Sequence, residues 1–336
     1  MKTLTLRTKI FRSMAFLLIA ISLFSLTSYV LERKTLTGAW NYMGKMNEFY
    51  DLPRDTMDYI CVGSSHAYCS INPLEVWKNN GIKGFVLATQ QQPLRASYHY
   101  IKEAFKTQSP KIVLLEAYMV FADSHTEGVL YDAIDPLKPS WNKIEMIQDL
   151  VPEANQREAY YFNILKYHTR WKDVDANEIN NVFFAPKDYY KGFVALNTCV
   201  QAVNQIPNYD MVEATPIPAE NLSTLNDILN LVEKNDAELV IMLAPYDTGR
   251  FSGTMKSVYN WSRDNNVRVL DYTVLLDALE IDPHTDYVDS SHLNVYGAAK
   301  LSKHLAGYLT TIGLPANPKD TAWEADYVRY KTKHLS

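Results

Sequence analysis

The chain has 336 residues, 47% hydrophobic and 21% charged, with 33 Lys+Arg against 38 Asp+Glu and a formal net charge of −5. That apolar content with so small a net charge excludes a disordered chain, and the lack of a basic excess excludes a nucleic-acid partner held by charge. Twelve glycines rule out collagen-like arrays, and three cysteines (Cys61, Cys69, Cys199) with no Cys-x-x-Cys pair rule out a disulfide framework.

In chain order, the first segment is a membrane signal. Lys2, Arg7, Lys9 and Arg12 precede 19 residues, 13–31, without a charge. A helix needs roughly 20 apolar residues to cross a bilayer, and a basic flank stays cytoplasmic. The run lacks the stripe of a core helix, and no A-x-A-like cleavage site follows it. These features predict a cytoplasmic tail over 1–12, a single transmembrane anchor over 13–31 and an extracytoplasmic remainder at the cell membrane. Residues 32–55, polar and aromatic without a clean period, read as a stalk.

Buried-type strands are expected at 57–62, 84–88, 111–117, 239–244 and 267–270. Helical spacing marks 93–107, the stripe Leu222, Leu225, Ile228, Leu229 and Val232, and 295–309. The alternation predicts an α/β fold: a doubly wound, flavodoxin-like parallel sheet with helices on both faces, spanning 56–312. Residues 121–218, rich in Tyr, Trp, Asn and Asp, interrupt it. The stretch is too long for a plain loop and reads as a helical insertion, with helices at 142–150 and 154–167. Residues 313–336 read as a C-terminal tail.

Two motifs bear chemistry. Gly63-Ser64-Ser65-His66 follows the first strand, and Asp289-Ser290-Ser291-His292-Leu293-Asn294 precedes the last helix. A serine is a poor nucleophile until a base removes its proton. Histidine is that base near neutral pH, and a carboxylate that fixes its tautomer completes the unit. In a doubly wound sheet both loops open on the same edge. His99, His125, His284 and His304 show no metal-ligand spacing, so neither metal nor other cofactor is expected.

These two blocks resemble the SGNH (GDSL-like) hydrolase superfamily, whose first block is Gly-Asp-Ser and whose last is Asp-x-x-His. The resemblance spans about 57–310, minus the insertion. It implies Ser65 as nucleophile, His292 as base and Asp289 as its orienting partner. Ser64 stands where the family has Asp. The family's block Gly after the second strand is replaced by Ala88-Thr89-Gln90-Gln91-Gln92, and its Gly-x-Asn-Asp after the third by Leu115-Glu116-Ala117-Tyr118. The Ser65 N–H is left as one oxyanion donor, with the Gln91 or Gln92 amide as a candidate for the other.

Further candidates for the substrate site are Ser64, His66 and Tyr118, with Glu116 and Asp123 near the crevice. His168 and Arg170, in an aromatic cluster of the insertion, are candidates for an anionic glycan site or, alternatively, helix-end caps. The Gly-Ser-Ser block, the anchor and the insertion together look like the DltD-like branch. That resemblance implies serine-dependent O-acyl transfer to a cell-envelope polysaccharide or teichoic-acid-type polymer, with a membrane-bound O-acyltransferase as donor partner. Two readings stand beside it: an SGNH carbohydrate or acetyl esterase acting alone, and a non-catalytic scaffold that binds envelope polymer.

Overall fold

Five short apolar stretches pair side by side. In the computed structural model, which describes residues 5–32, 38–121, 127–202, 208–246, 252–315 and 319–335, they are β1 (Tyr59–Gly63), β2 (Gly84–Ala88), β3 (Ile112–Glu116), β4 (Glu238–Leu243) and β5 (Arg268–Asp271). All pairs are parallel, in the order β2-β1-β3-β4-β5. β1, β2 and β3 are buried along their whole length, as a parallel sheet covered by helices requires. Each expected strand is present, its ends shifted by two residues at most. The chain leaves β1 to one side for β2 and to the other for β3, so the loop after β1 sits where the strand order reverses.

The helices, in chain order, are α1 (Leu6–Leu31), α2 (Tyr42–Tyr50), α3 (Ser65–Ser70), α4 (Pro73–Asn80), α5 (Leu94–Ala104), α6 (Tyr118–Phe121), α7 (Glu127–Ile134), α8 (Trp141–Leu150), α9 (Glu158–Tyr161), α10 (Ile164–Tyr167), α11 (Ala176–Phe183), α12 (Ala219–Lys234), α13 (Ser252–Asp264), α14 (Val295–Thr311) and α15 (Thr321–His334). Local chemistry sets their ends. Asn72 caps α4 by accepting from Leu74 N, Pro73 opens it, and Gly81 closes it at φ +71°; that left-handed turn is the one a glycine takes without strain. α14 packs on α3 and α4, α15 on α4, and α5 on α8 and α12.

The excursion between β3 and β4 is helical, as expected, but 154–167 forms two short helices, α9 and α10. α1 is long and apolar enough to cross a membrane. Its end is tied down: Arg170 Nη1 donates to the Leu31 carbonyl at 2.9 Å, satisfying one of the carbonyls a helix end leaves open.

Two segments differ from their sequence reading. The supposed stalk contains α2, with Tyr42, Lys45, Met46, Glu48 and Phe49 buried. The supposed tail contains α15, with Trp323 and Tyr330 buried. Charge pairing explains both: Lys191 Nζ bridges Glu48 of α2 and Asp326 of α15, at 2.6 Å each.

Close approach fixes Gly84. It pairs with Tyr59, whose ring would lie 2.0 Å from an added Cβ. Gly84→Ala is therefore expected to lose about 1–3 kcal/mol, read as a lower urea midpoint at unchanged slope; an unchanged midpoint would show that the ring moves aside freely.

Candidate active site

The β1–α3 turn is built from three small residues, each with its own part to play. A Cβ at Gly63 would lie 2.7 Å from Glu116 Cβ, so the glycine leaves room for Glu116 to reach under the turn from β3. Ser64 is buried. Its Oγ donates to Glu116 Oε2 at 3.0 Å and accepts from His66 N at 3.4 Å as the N-cap of α3. Ser65, half-buried, is the first residue of α3, so its N–H is one of the orphan donors of a helix start.

The second loop is closed by an isolated bridge, Tyr287 to Leu293, and by Val288 N donating to His292 O at 3.0 Å. Asp289 Oδ1 accepts from Ser291 N at 2.7 Å and from His292 N at 2.9 Å. Behind the loop, Asn294 is fully buried. Its Oδ1 caps α14 through Tyr296 N and Gly297 N, and its amide donates to Thr285 O at 2.7 Å.

The two loops meet. His292 Nε2 lies 2.8 Å from Ser65 Oγ, and His292 Nδ1 lies 2.9 Å and 3.0 Å from the two Asp289 oxygens. With the carboxylate on Nδ1, that nitrogen carries the proton and Nε2 is free to accept from the serine hydroxyl. The arrangement can deprotonate Ser65 as it attacks a carbonyl carbon.

Beneath this chain lies an aromatic and polar layer. The buried His66 ring stacks on His292 at 4.9 Å with an interplanar angle of 13°. It also packs against Tyr118 at 4.2 Å and Tyr246 at 4.7 Å. Burial, and then the neighbouring His292, hold His66 well below the usual histidine range, so it stays neutral beside the base. Burial pushes Glu116 up to about 7, against hydrogen bonds from Tyr118 N and Ser64 that favour its charged form.

Of the candidates read from the sequence, Ser65, His292 and Asp289 come together, and Ser64, His66, Tyr118 and Glu116 line the layer below. Four are elsewhere. The Gln92 amide is spent in its own turn, donating to Ser97 Oγ at 3.0 Å and to Leu87 O at 3.4 Å. Gln91 is exposed at φ +47° and makes no hydrogen bond to the triad among the described residues. Arg170 is engaged by Leu31 O and Glu178, and His168 Nδ1 by Leu165 O; both serve helix ends rather than the crevice. Asp123 lies outside the described residues.

The sequence reading missed three residues. Tyr246, buried, follows β4 by three positions, and strand ends on this side are where site residues collect. Tyr68 is buried on α3, three positions after Ser65. Lys45 lies with its Nζ 4.4 Å above the Tyr68 ring, and burial pushes it down to about 8. No signal in the sequence points to the last two. No group of His, Cys, Asp or Glu among the described residues could hold a metal. No known family model matches the chain, and no curated protein is detectably similar to it in sequence.

A carboxyl raised from 4.5 to about 7 binds its proton more tightly in the folded state. Its contribution to stability is full below about pH 4.5 and is lost as pH climbs through about 7, by on the order of 3 kcal/mol. Glu116→Gln, which keeps the shape and the acceptor, should flatten that slope. Melting temperature against pH measures it; an identical slope in both proteins would mean that Glu116 ionises freely.

Proposed function

We propose that the chain is a membrane-anchored serine acyltransferase of the SGNH type, which carries an acyl group on Ser65 and passes it to a hydroxyl of a cell-envelope polysaccharide. The observation that carries this reading is the hydrogen-bonded chain Ser65–His292–Asp289, assembled from loops 227 positions apart. In the first half-reaction Ser65 Oγ bonds to the acyl carbon while His292 Nε2 takes its proton and then delivers it to the departing alcohol or thiol. In the second, His292 takes the acceptor hydroxyl's proton, that oxygen bonds to the acyl carbon, and Ser65 Oγ leaves with the proton. The Ser65 N–H serves as one oxyanion donor.

The family assignment rests on Gly63-Ser64-Ser65 after β1, Asp289-x-x-His292 before α14, and a strand order that matches the flavodoxin-like doubly wound sheet. Where the family has Asp in its first block, a carboxylate comes instead from Glu116 of the neighbouring strand, bonded to Ser64. The extracytoplasmic placement rests on the four basic residues before the apolar run. The anchor favours transfer over hydrolysis, since a donor delivered at the membrane, such as a membrane-bound O-acyltransferase, needs a local recipient.

An activated aryl acetate is expected to release one equivalent of phenol in a rapid burst, followed by slow turnover that a soluble polysaccharide accelerates. His292→Ala should slow the burst by about 10²–10⁴-fold, and Ser65→Ala should abolish it. A burst surviving in Ser65→Ala would overturn the reading. Turnover that water sustains fully and no polysaccharide accelerates would identify an esterase acting alone.

A further inference from the structure

The insertion exposes apolar side chains that the catalytic reading does not use. Tyr161, Phe162, Leu165, Trp171, Ile179 and Phe183 are all exposed, with Trp171 at 66% and Phe183 at 75%. Phe184, the next residue, is 71% exposed. On α11, Ile179, Val182 and Phe183 recur at helical spacing and make one stripe. Clustered exposure of this kind marks an interaction surface.

Its place in the fold says what meets it. α10, α11 and the turn His168–Lys172 pack against α1. Phe162 meets Phe24 edge-on at 6.1 Å, Asn163 binds Glu32, and Arg170 holds the Leu31 carbonyl. The uncharged run 13–31 is about 28 Å long at 1.5 Å per residue, close to the roughly 30 Å of hydrocarbon in a bilayer. These ties therefore fix the exposed aromatic face at the level where the span leaves the membrane. Aromatic side chains concentrate at that level.

A groove of about 980 Å³ runs beside the face, walled by Phe24, Ile147 and Phe162 and also by the charged Glu32, Asp135 and Lys143. Over 157–184, four basic side chains are matched by four acidic ones, so attraction to anionic lipid is not what would hold it there.

We infer that this face, formed by Tyr161, Phe162, Leu165, Trp171, Ile179, Phe183 and Phe184, is set into the outer leaflet of the bilayer beside α1. The inference rests on the reading of α1 as a membrane span. It explains why the insertion is there. The face holds the catalytic domain at a fixed height and tilt on the membrane, where a tether alone would let it swing. It enters roughly 5–10 Å below the headgroups, as interfacial helices do.

The test uses the full chain reconstituted in phosphatidylcholine vesicles, with Cys199→Ser to remove the one exposed thiol. Leu18→Cys, Phe183→Cys and Lys303→Cys, each in that background, carry an environment-sensitive fluorophore. Quenchers are attached to the lipid acyl chains at shallow depth. The expected result is blue-shifted emission and strong quenching at positions 18 and 183, with water-like, unquenched emission at 303. Quenching at 18 with a water-like signal at 183 would overturn the lipid face while leaving the anchor standing, and would point to a protein cover. Water-like signals at both 18 and 183 would overturn the face and the anchor together. Should Phe183→Cys fail to fold, Trp171→Phe reports the same point: removing Trp171 should remove most of the lipid-quenched tryptophan emission, and an unchanged quenched fraction counts against the face.

Discussion

The contact on which the site depends is the 2.8 Å hydrogen bond between Ser65 Oγ and His292 Nε2. It joins a turn at the carboxyl end of β1 to a loop ahead of α14. A bond of this kind contributes roughly 1 kcal/mol in net stability, far too little to bring two loops together by itself. The fold has to deliver both ends. α14 packs on α3, so the helix behind the histidine loop rests directly on the helix that begins with Ser65. Asn294 and Asp289 then tie off the backbone of the second loop, and Gly63 and Ser64 that of the first. The geometry of the pair is inherited from helix packing and capping.

Under the pair sits a layer that costs stability. Glu116 is a fully buried carboxyl; His66 Nε2 and the Tyr246 hydroxyl are buried with no hydrogen-bond partner among the described residues. A buried polar atom without a partner, as in these last two, is unfavourable by about 1–3 kcal/mol. Their concentration beneath Ser65 is the distribution expected of a functional site, where local rules give way to chemistry. A neutral His66 stacked on His292 presents a flat, polarisable face to the ring that, on the proposed mechanism, gains a proton. It adds no positive charge of its own.

Much of this was legible in the sequence because the signals are local. A strand, a Gly-Ser-Ser turn and a helix are consecutive, and so are Asp289, His292, Asn294 and the helix they open. What was not legible comes from pairing at long range. Residues 32–55 read as a stalk because their polar and aromatic residues follow no clean period, yet α2 is buried there and its Glu48 is neutralised by Lys191, 143 positions away. Gln92 looks like a free donor next to the crevice, yet its amide closes its own turn through Ser97. Arg170 resembles a ligand for an anion, yet it is taken up within the chain by the Glu178 carboxylate and the carbonyl end of α1. Tyr68 and Tyr246 are two tyrosines among 23, and only tertiary packing separates them from the rest.

Ser65 on a rigid strand–turn–helix, and a domain whose insertion grips a helix long and apolar enough to cross a membrane, suit the proposed enzyme, one that works on substrates presented at a surface. That account stands or falls on whether Ser65 is an activated nucleophile. The most direct measurement is the intact mass of the full chain in detergent after exposure to a fluorophosphonate, with the modified peptide then mapped. The account predicts a single adduct on the peptide that contains Ser65, absent from Ser65→Ala. An unmodified mass in a chain shown to be folded, or an adduct that persists in Ser65→Ala, would contradict it.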